Sequence, residues 1–295
     1  MQTADEITPV PAPSPAPILE EDPLFRLVVS LVGEELERFR GVSLTVAETA
    51  KWTKQTALVA DGLGFDSLGL LQVSGRINQF FQLHRSGIED YLLARPTLGE
   101  WVGIIEQGQR HFSRALTFQT SGSTGTPKPC EQALAHLDGD AQAIADMLPD
   151  FDRVISLVPP HHIYGFIYSV RLPQLSKCPI IDGRTLSPGQ MREHLGEGSL
   201  VIATPHLWRY VLTSLGQFPV GTMGITSTAP MPPNLATQLR QAGLHRLCEI
   251  YGSSETNGIG WRMGDEAFEL FPWWTANTRA ETLTRAPSEN NADVP

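Results

Sequence analysis

The stretch between Phe118 and Pro129, FQTSGSTGTPKP, concentrates groups that can hold phosphate. Gly122 and Gly125 let backbone N–H groups approach a ligand closely, and the Lys128 ammonium adds a positive charge suited to phosphate oxygens. The spacing is not that of a Walker A loop, because GxxxxGKS and GxxxxGKT are absent. A Ser/Gly surface linker is the alternative interpretation of this composition. The hydroxyl donors of the stretch are Thr120, Ser121, Ser123 and Thr124.

Three further stretches carry side chains with chemical uses, namely PPHHIYGF (159–166), TSTAPMPP (226–233) and YGSSETNGIGWR (251–262). His161 and His162 could belong to a zinc site only with further ligands, and none stands at ligand spacing. Glu255 taken singly is more typical of a solvated carboxylate than of a metal ligand. Taken singly, none of these residues identifies a functional site, so the four stretches have to be considered together.

The elements around these stretches alternate between strand and helix patterns from about Gly108 onward. Short β-branched runs such as RVISLVPP, SLVIATP and RLCEIYG are separated by helical patterns such as HLWRYVLTSL and PNLATQLRQAG. This alternation predicts an α/β domain with a largely parallel sheet. Binding loops lie at the carboxyl ends of the strands in such sheets. The phosphate-type loop is predicted to follow a short apolar stretch and to precede a helix.

The first hundred residues have a different pattern, with helical periodicity and no strand signals. Residues 1–22 are a proline-rich segment that we expect to be a disordered tail. Residues 23–107 contain four helical patterns, PLFRLVVSLVGEELERFR, SLGLLQVSGRINQFFQL, IEDYLLA and TLGEWVGIIEQ, with a long loop after the first. They predict a small four-helix bundle.

Bulk properties limit the functional class. The chain has 295 residues, 41% of them apolar, which suffices for two domains with real cores. A formal net charge of −10 argues against a nucleic-acid surface. The three cysteines lack a CxxC pair, which favours a reducing cytoplasm over a disulfide framework. We expect no membrane span, because no run of about 18 apolar residues appears.

The string TSGSTGTPK resembles the phosphate-loop signature of the adenylate-forming superfamily, which includes acyl-CoA synthetases, aryl-acid ligases and the adenylation domains of peptide synthetases. The other three stretches resemble, in the family's order, its acyl-pocket segment, its adenine loop and its tyrosine-glycine-x-threonine-glutamate motif. Ser254 stands where the last motif usually has threonine. The resemblance covers about residues 115–295 and implies ATP and Mg²⁺ as cofactors.

The resemblance also implies a role for each matching residue. Catalytic roles fall to His162 beside the acid's carboxylate, to Lys128, and to Glu255 as the ligand of Mg²⁺. Ser254 would reach a phosphate oxygen, whereas Tyr251, Gly252 and Ala229 would border the adenine. The implied chemistry forms an acyl-adenylate and then passes the acyl group to a thiol. The implied phosphate-binding loop comprises Thr120, Ser121, Gly122, Ser123, Thr124, Gly125 and Lys128.

A second signature, GFDSL, lies upstream and resembles the attachment site of acyl carrier proteins. The resemblance implies that Ser67 carries 4'-phosphopantetheine, attached by a phosphopantetheinyl transferase, as an in-chain acceptor. A helix N-terminus suits the arm's phosphate charge. An ordinary helix N-cap is the alternative interpretation. The predicted fold class is thus multidomain α and α/β, with a carrier bundle (23–107), a partial adenylation core (113–280) and a disordered or truncated end (281–295).

The sequence departs from the family in two places. The family has a substantial subdomain before the phosphate loop, and after the glutamate motif it has a ribose-binding aspartate and a mobile domain with a catalytic lysine. Neither is found here, so two hypotheses stay open. In one, the chain is a ligase for an aryl or fatty acid fused to its carrier, serving downstream acyl-transfer or ketosynthase enzymes of secondary metabolism. In the other, it is a carrier with a catalytically deficient adenylation half acting with a partner ligase.

The identity of the acid is less readable. Aromatic residues of HHIYGFIYS could line a pocket for an aryl or medium acyl group, with His162, Tyr164 and Phe166 as candidates. The alternative is that these residues belong to the core.

Overall fold

A computed structural model describes residues 19–112, 114–120, 127–277 and 279–286. The helices of its N-terminal part are α1 (Glu21–Arg40), α2 (Val46–Thr49), α3 (Ser67–Phe81), α4 (Tyr91–Ala94) and α5 (Leu98–His111). The four helical patterns of the sequence are confirmed as α1, α3, α4 and α5, and α2 lies in the predicted loop. Leu19 is fully buried and α1 begins at Glu21, so the expected tail (1–22) is wrong for its last residues.

Helix α1 shows why these segments fold as they do. Its first turn is acidic and its last turn basic, which complements the helix dipole. The helix ends at Gly41, whose φ of 66° is a left-handed conformation that glycine adopts without strain. Its buried stripe faces the other helices and consists of Leu24, Leu27, Val28, Leu31, Val32, Gly33 and Leu36.

A seven-stranded sheet forms the centre of the C-terminal part. Its order is β4-β3-β5-β6-β7-β8-β9, and the first five of these strands run parallel. The largely parallel sheet predicted from the alternation is confirmed. The parallel strands are β3 (Arg153–Ser156), β4 (Ile180–Asp182), β5 (Ser199–Ile202), β6 (Met223–Thr226) and β7 (Arg246–Ser253), and the antiparallel ones are β8 (Asn257–Met263) and β9 (Glu269–Leu270).

Helices connect the parallel strands. They are α6 (Leu134–Met147), α7 (Ile163–Phe166), α8 (Leu172–Leu175), α9 (Pro188–His194), α10 (Pro205–Leu215) and α11 (Pro233–Gln241). A π-helical stretch, Ile167–Arg171, joins α7 to α8. Such widened turns occur frequently near functional sites.

Two antiparallel hairpins stand outside the large sheet. The first pairs β1 (Ala115–Thr120) with β2 (Lys128–Ala133), and the second pairs β10 (Trp274–Asn277) with β11 (Thr282–Arg285). The phosphate-type loop follows β1 and precedes helix α6, as predicted, and the unpredicted strand β2 lies between the loop and that helix. The expected disordered end (281–295) is wrong for its first part, since β11 belongs to a hairpin.

One hydrophobic core connects the N-terminal helices with the hairpin and the sheet. The rings of Phe80 on α3, Phe118 on β1 and Phe166 on α7 meet edge to face, with centroids 5.2–6.5 Å apart. Edge-to-face contacts stabilise aromatic clusters beyond the area that they bury. None of the helices in the described part of the chain combines the length and the apolar character needed to cross a bilayer.

Candidate functional site

Hairpin β1–β2 packs against the turn between β7 and β8. The Gln132 Nε2 group donates to the backbone oxygens of Ser254 (2.5 Å) and Glu255 (3.2 Å). The Cys130 thiol donates to the same Ser254 oxygen at 3.1 Å. These bonds join residues more than 120 positions apart in sequence. The fold thus places the strand that follows the phosphate-type loop against the turn that contains Glu255.

The ends of the phosphate-type loop are fixed by the hairpin. Thr120, the last residue of β1, lies opposite Lys128, the first residue of β2. The Lys128 side chain is exposed to solvent, so its ammonium is free to meet an anion. The predicted positions Ser121, Gly122, Ser123, Thr124 and Gly125 lie outside the described residues.

The β7–β8 turn is closed by its own hydroxyls. The Ser253 Oγ atom accepts from the N–H groups of Glu255 (3.2 Å) and Thr256 (3.3 Å). The Glu255 carboxylate is exposed, as a ligand for a hydrated cation must be. Gly252 has to be glycine, because a Cβ there would lie 2.0 Å from the Asn257 oxygen. Local bonding therefore fixes the turn in which Ser254 is half-buried and Glu255 is exposed to solvent.

The stretch TSTAPMPP (226–233) is hydrogen-bonded to the end of β7, next to Tyr251. In the loop after β6, the Ser227 hydroxyl donates to the Ile250 oxygen (2.9 Å), and the Met231 N–H donates to a Glu249 carboxylate oxygen (2.9 Å). The Tyr251 ring is 60% exposed, and Ala229 is also exposed. An exposed aromatic face beside an exposed loop is suitable for stacking a planar base.

His162 follows β3, at the same edge of the sheet but three strands away from β7. Its ring lies 4.3 Å from that of buried His161. The His161 Nδ1 atom shares a 2.7 Å hydrogen bond with the Ser30 hydroxyl of α1. Burial lowers the pKa of His161 well below its usual value, and desolvation lowers the pKa of His162. Both imidazoles are therefore neutral near pH 7.

Both histidines line a cavity of about 430 Å³ between α1 and the ends of β3 and β4. Phe25 and Trp52 supply aromatic walls, and Arg184 also lines the cavity. The Arg184 guanidinium is held by the Asp182 carboxylate at 2.6 Å. The cavity is large enough for a small organic acid.

Tyr164 and Phe166 do not line this cavity, so the pocket interpretation is wrong for them. Phe166 is fully buried in the shared core, and Tyr164 is 7% exposed. The Tyr164 hydroxyl donates to the Ala203 and Ile225 oxygens at 3.1 and 3.0 Å. It thereby connects the ends of neighbouring strands β5 and β6. Aromatic residues at helical spacing belong to the core here, as the alternative interpretation held.

Tyr164→Phe is expected to lower the free energy of unfolding by about 2 kcal/mol, because two buried carbonyl oxygens lose a donor. Urea denaturation measures this change. Tyr210→Phe is the matched control, since the Tyr210 side chain is 55% exposed and its substitution should change stability by less than about 0.5 kcal/mol. Equal effects of the two substitutions would contradict the structural role of the Tyr164 hydroxyl.

One buried acid was missed by the sequence analysis. Asp140 of α6 is fully buried, and its carboxylate accepts from the Gly258 N–H at 2.6 Å. Burial raises the pKa of Asp140 from 3.8 to about 7. A signal was available, because Leu137, Ala141 and Ile144 form the buried stripe of α6 and Asp140 falls within it.

The described ranges contain no group of three or more His, Cys, Asp or Glu residues arranged to hold a metal ion. A single carboxylate such as Glu255 fits Mg²⁺, which usually binds one or two carboxylates together with substrate phosphates and water. The donor set at the turn is therefore compatible with a magnesium–nucleotide complex.

Comparison with known proteins gives a consistent picture. A family model described as AMP-binding enzyme matches residues 106–282. The 4-coumarate–CoA ligase of Halorhodospira halophila is 37% identical over 270 residues, which cover 91% of this chain and 68% of that protein. The 4-coumarate–CoA ligase of Rhodobacter capsulatus is 40% identical over 280 residues, covering 92% and 70%. The chain therefore spans roughly two thirds of these relatives.

Among solved structures, ATP-bound MatB from Rhodopseudomonas palustris superposes with a TM-score of 0.51 at 14% identity. The match covers 85% of this chain and 59% of MatB. At this identity the likeness concerns the fold. The coverage leaves about 15% of this chain unmatched, so the match includes much of the N-terminal helical part as well as the sheet.

Proposed function

Because the chain belongs to the AMP-binding enzyme family, we propose that it activates a carboxylic acid with ATP, forming an acyl-adenylate and pyrophosphate. The observation that carries this proposal is the contact between hairpin β1–β2 and the β7–β8 turn. Through Gln132, the strand that follows the phosphate-type loop is hydrogen-bonded to the residues that carry Ser254 and Glu255. This contact supports a single polar site built from two motifs that are separate in sequence.

In the proposed reaction, an oxygen of the acid's carboxylate attacks the α-phosphorus of ATP. The bond from that phosphorus to the bridging oxygen breaks, and pyrophosphate leaves with the electron pair. Lys128, Thr120 and the loop between them would hold the β- and γ-phosphates, where fixed donors stabilise developing charge. Mg²⁺ bound at Glu255 would neutralise phosphate charge, and Ser254 would donate to a phosphate oxygen.

The remaining predicted residues would orient the two substrates. Tyr251, Gly252 and Ala229 would bind the adenine. His162 would border the carboxylate of the acid. This histidine is neutral near pH 7, so it offers a hydrogen bond without adding a charge. We propose an aryl acid, because the relatives are named 4-coumarate–CoA ligases and the cavity beside His162 has aromatic walls.

The proposal is tested by ATP–pyrophosphate exchange with the full chain, Mg²⁺ and a panel of acids. We expect exchange that depends on an aryl acid such as 4-coumarate and exceeds that with fatty acids of similar length. Thioester formation with coenzyme A, followed by mass spectrometry, identifies the thiol acceptor. Absence of exchange with every acid, while a nucleotide analogue still binds, would favour the second hypothesis, in which a partner ligase performs the activation.

Acyl transfer to a carrier domain within the chain stays a prediction. Ser67 is exposed at the first position of α3, and the Asp66 carboxylate caps the helix by accepting from the Gly69 N–H at 2.7 Å. Two observations favour a different role for segment 23–107, as part of the ligase itself. Its helices share one core with the sheet, and the ligase relatives match 91–92% of the chain. The unmatched remainder is shorter than the segment.

Intact-protein mass spectrometry decides between these roles. If Ser67 carries the arm, treatment with coenzyme A and a phosphopantetheinyl transferase adds one phosphopantetheine mass, and Ser67→Ala abolishes the addition. Ser86 is a half-buried serine of the same helical part, and its hydroxyl donates to the Leu83 oxygen at 2.8 Å. It offers a control substitution, Ser86→Ala, that leaves the addition unchanged. Failure of the wild-type chain to gain mass, under conditions that load a known carrier protein, would remove phosphopantetheine and its downstream partners from the proposal.

A further inference from the structure

The amide of Gln132 occupies an unusual position at the site. Its side chain is 5% exposed, and its Nε2 group lies within hydrogen-bond distance of the backbone oxygens of Ser254 and Glu255. A primary amide has two N–H donors, so it can serve both oxygens at once. No other residue of β2 reaches both carbonyl groups in the hydrogen bonds of the described structure.

We propose that Gln132 is a positioning residue for the metal–phosphate site. By holding two consecutive carbonyls, it fixes the backbone of the turn from which the Ser254 and Glu255 side chains project. It also fixes that turn relative to Thr120 and Lys128, the paired ends of β1 and β2, because Gln132 belongs to the same hairpin. This inference rests on the proposed function, since it takes Glu255 as the magnesium ligand.

Neighbouring side chains also hydrogen-bond the carbonyls of the β7–β8 turn, which supports a positioning role for Gln132 over a role in core packing alone. The Cys130 thiol, two positions earlier, donates to the same Ser254 oxygen at 3.1 Å. Arg285 of β11 donates to the Thr256 oxygen at 2.9 Å from another direction. The Ser254 and Glu255 carbonyls are thus held from β2 and the Thr256 carbonyl from β11, so side chains of two hairpins fix three consecutive carbonyls of the turn. Partners that hold ligands in this way usually affect metal affinity strongly.

The test compares two buried glutamines. Gln132 belongs to hairpin β1–β2, and Gln82 contacts the same hairpin. Gln132→Met keeps the shape of the side chain but removes the donor to the turn. Gln82→Met is the matched control, because Gln82 is 2% exposed and its Nε2 donates to Thr117 Oγ1 on β1 at 3.0 Å, without touching the turn. Calorimetric titrations of the full chain with ATP are made in Mg²⁺ and, separately, in EDTA.

We expect Gln132→Met to weaken binding of magnesium–ATP by about tenfold and to leave binding of metal-free ATP within twofold of wild type. Gln82→Met should leave both affinities within twofold. The ratio of the two affinities separates positioning from general loosening, which would weaken both. Gln132→Asn, which keeps the amide on a shorter side chain, should give an intermediate loss and serves if the methionine variant does not fold.

Two failures are distinguishable. If the wild-type chain binds ATP no better with Mg²⁺ than without it, the proposed magnesium–nucleotide site fails and the role of Gln132 fails with it. If wild type shows the magnesium effect but Gln132→Met behaves as Gln82→Met does, only the positioning role is overturned. In a Glu255→Gln background, Gln132→Met should cause a smaller loss than it does in wild type, because one of the two side chains that it positions has already lost its charge.

Discussion

Glu255→Gln is expected to lower magnesium-dependent ATP–pyrophosphate exchange by at least about 100-fold, while the protein keeps its fold. Glutamine has the size of glutamate but lacks the negative charge that a hard cation prefers. The Glu255 side chain is exposed and makes no hydrogen bond or ion pair with the described residues, so its substitution should not disturb the core. The exchange rate over a series of Mg²⁺ concentrations measures the effect.

Glu131→Gln provides the control. Glu131 is an exposed glutamate on β2, on the same hairpin as Gln132, and its carboxylate pairs with Arg85 at 3.1 Å. Surface pairs of this kind contribute little to stability. Exchange by this variant should stay within twofold of wild type. If the two substitutions have similar effects, Glu255 is not the metal ligand.

Asp140→Asn is expected to remove a strong pH dependence of stability. The pKa of Asp140 rises from 3.8 to about 7 on folding, so the folded chain keeps a proton that the unfolded chain releases. Stability is therefore greatest below pH 4 as far as this group is concerned, and it falls as pH rises to 7. The loss is about 2 kcal/mol between pH 5 and pH 7, and it levels off above pH 7.

Asparagine can still accept from the Gly258 N–H, but it does not titrate. Urea denaturation at pH 5, 6, 7 and 8 should show that the difference in stability between Asp140→Asn and wild type shifts in favour of the variant as pH rises. His136 titrates in both proteins, so the difference isolates Asp140. Asp146→Asn on the exposed face of α6 is the control and should follow wild type. Parallel pH profiles for Asp140→Asn and wild type would contradict the raised pKa.

The sequence was most informative where one element buries one regular stripe. Helices α1, α3 and α5 and the parallel strands follow their apolar periodicity, because burial on a single face selects the pattern. Strand β2 was missed because KPCEQA is mostly polar and exposed, and only its pairing with β1 makes it a strand. The hairpin β10–β11 was missed for the same reason, since its burial pattern is largely exposed.

The candidate site was predictable as a set of motifs but not as an arrangement. The strand ends explain why the loop after β6 and Tyr251 are neighbours. Nothing in the one-dimensional pattern pairs Gln132 with Ser254, because their bond depends on how the hairpin packs against the sheet. The core position of Tyr164 could not be predicted for the same reason. Its hydroxyl donates to the Ala203 and Ile225 oxygens, which only the folded sheet brings close together.

The aromatic junction of Phe80, Phe118 and Phe166 has a consequence for cooperativity. Since the three rings belong to α3, β1 and α7, the N-terminal helices and the sheet should melt in a single transition and not as separate units. A protease cut between residues 111 and 115 would then yield two fragments that stay associated. Each fragment on its own would expose apolar surface that is buried in the intact protein. Each half of the polypeptide thus supplies part of the core that the other half needs in order to fold.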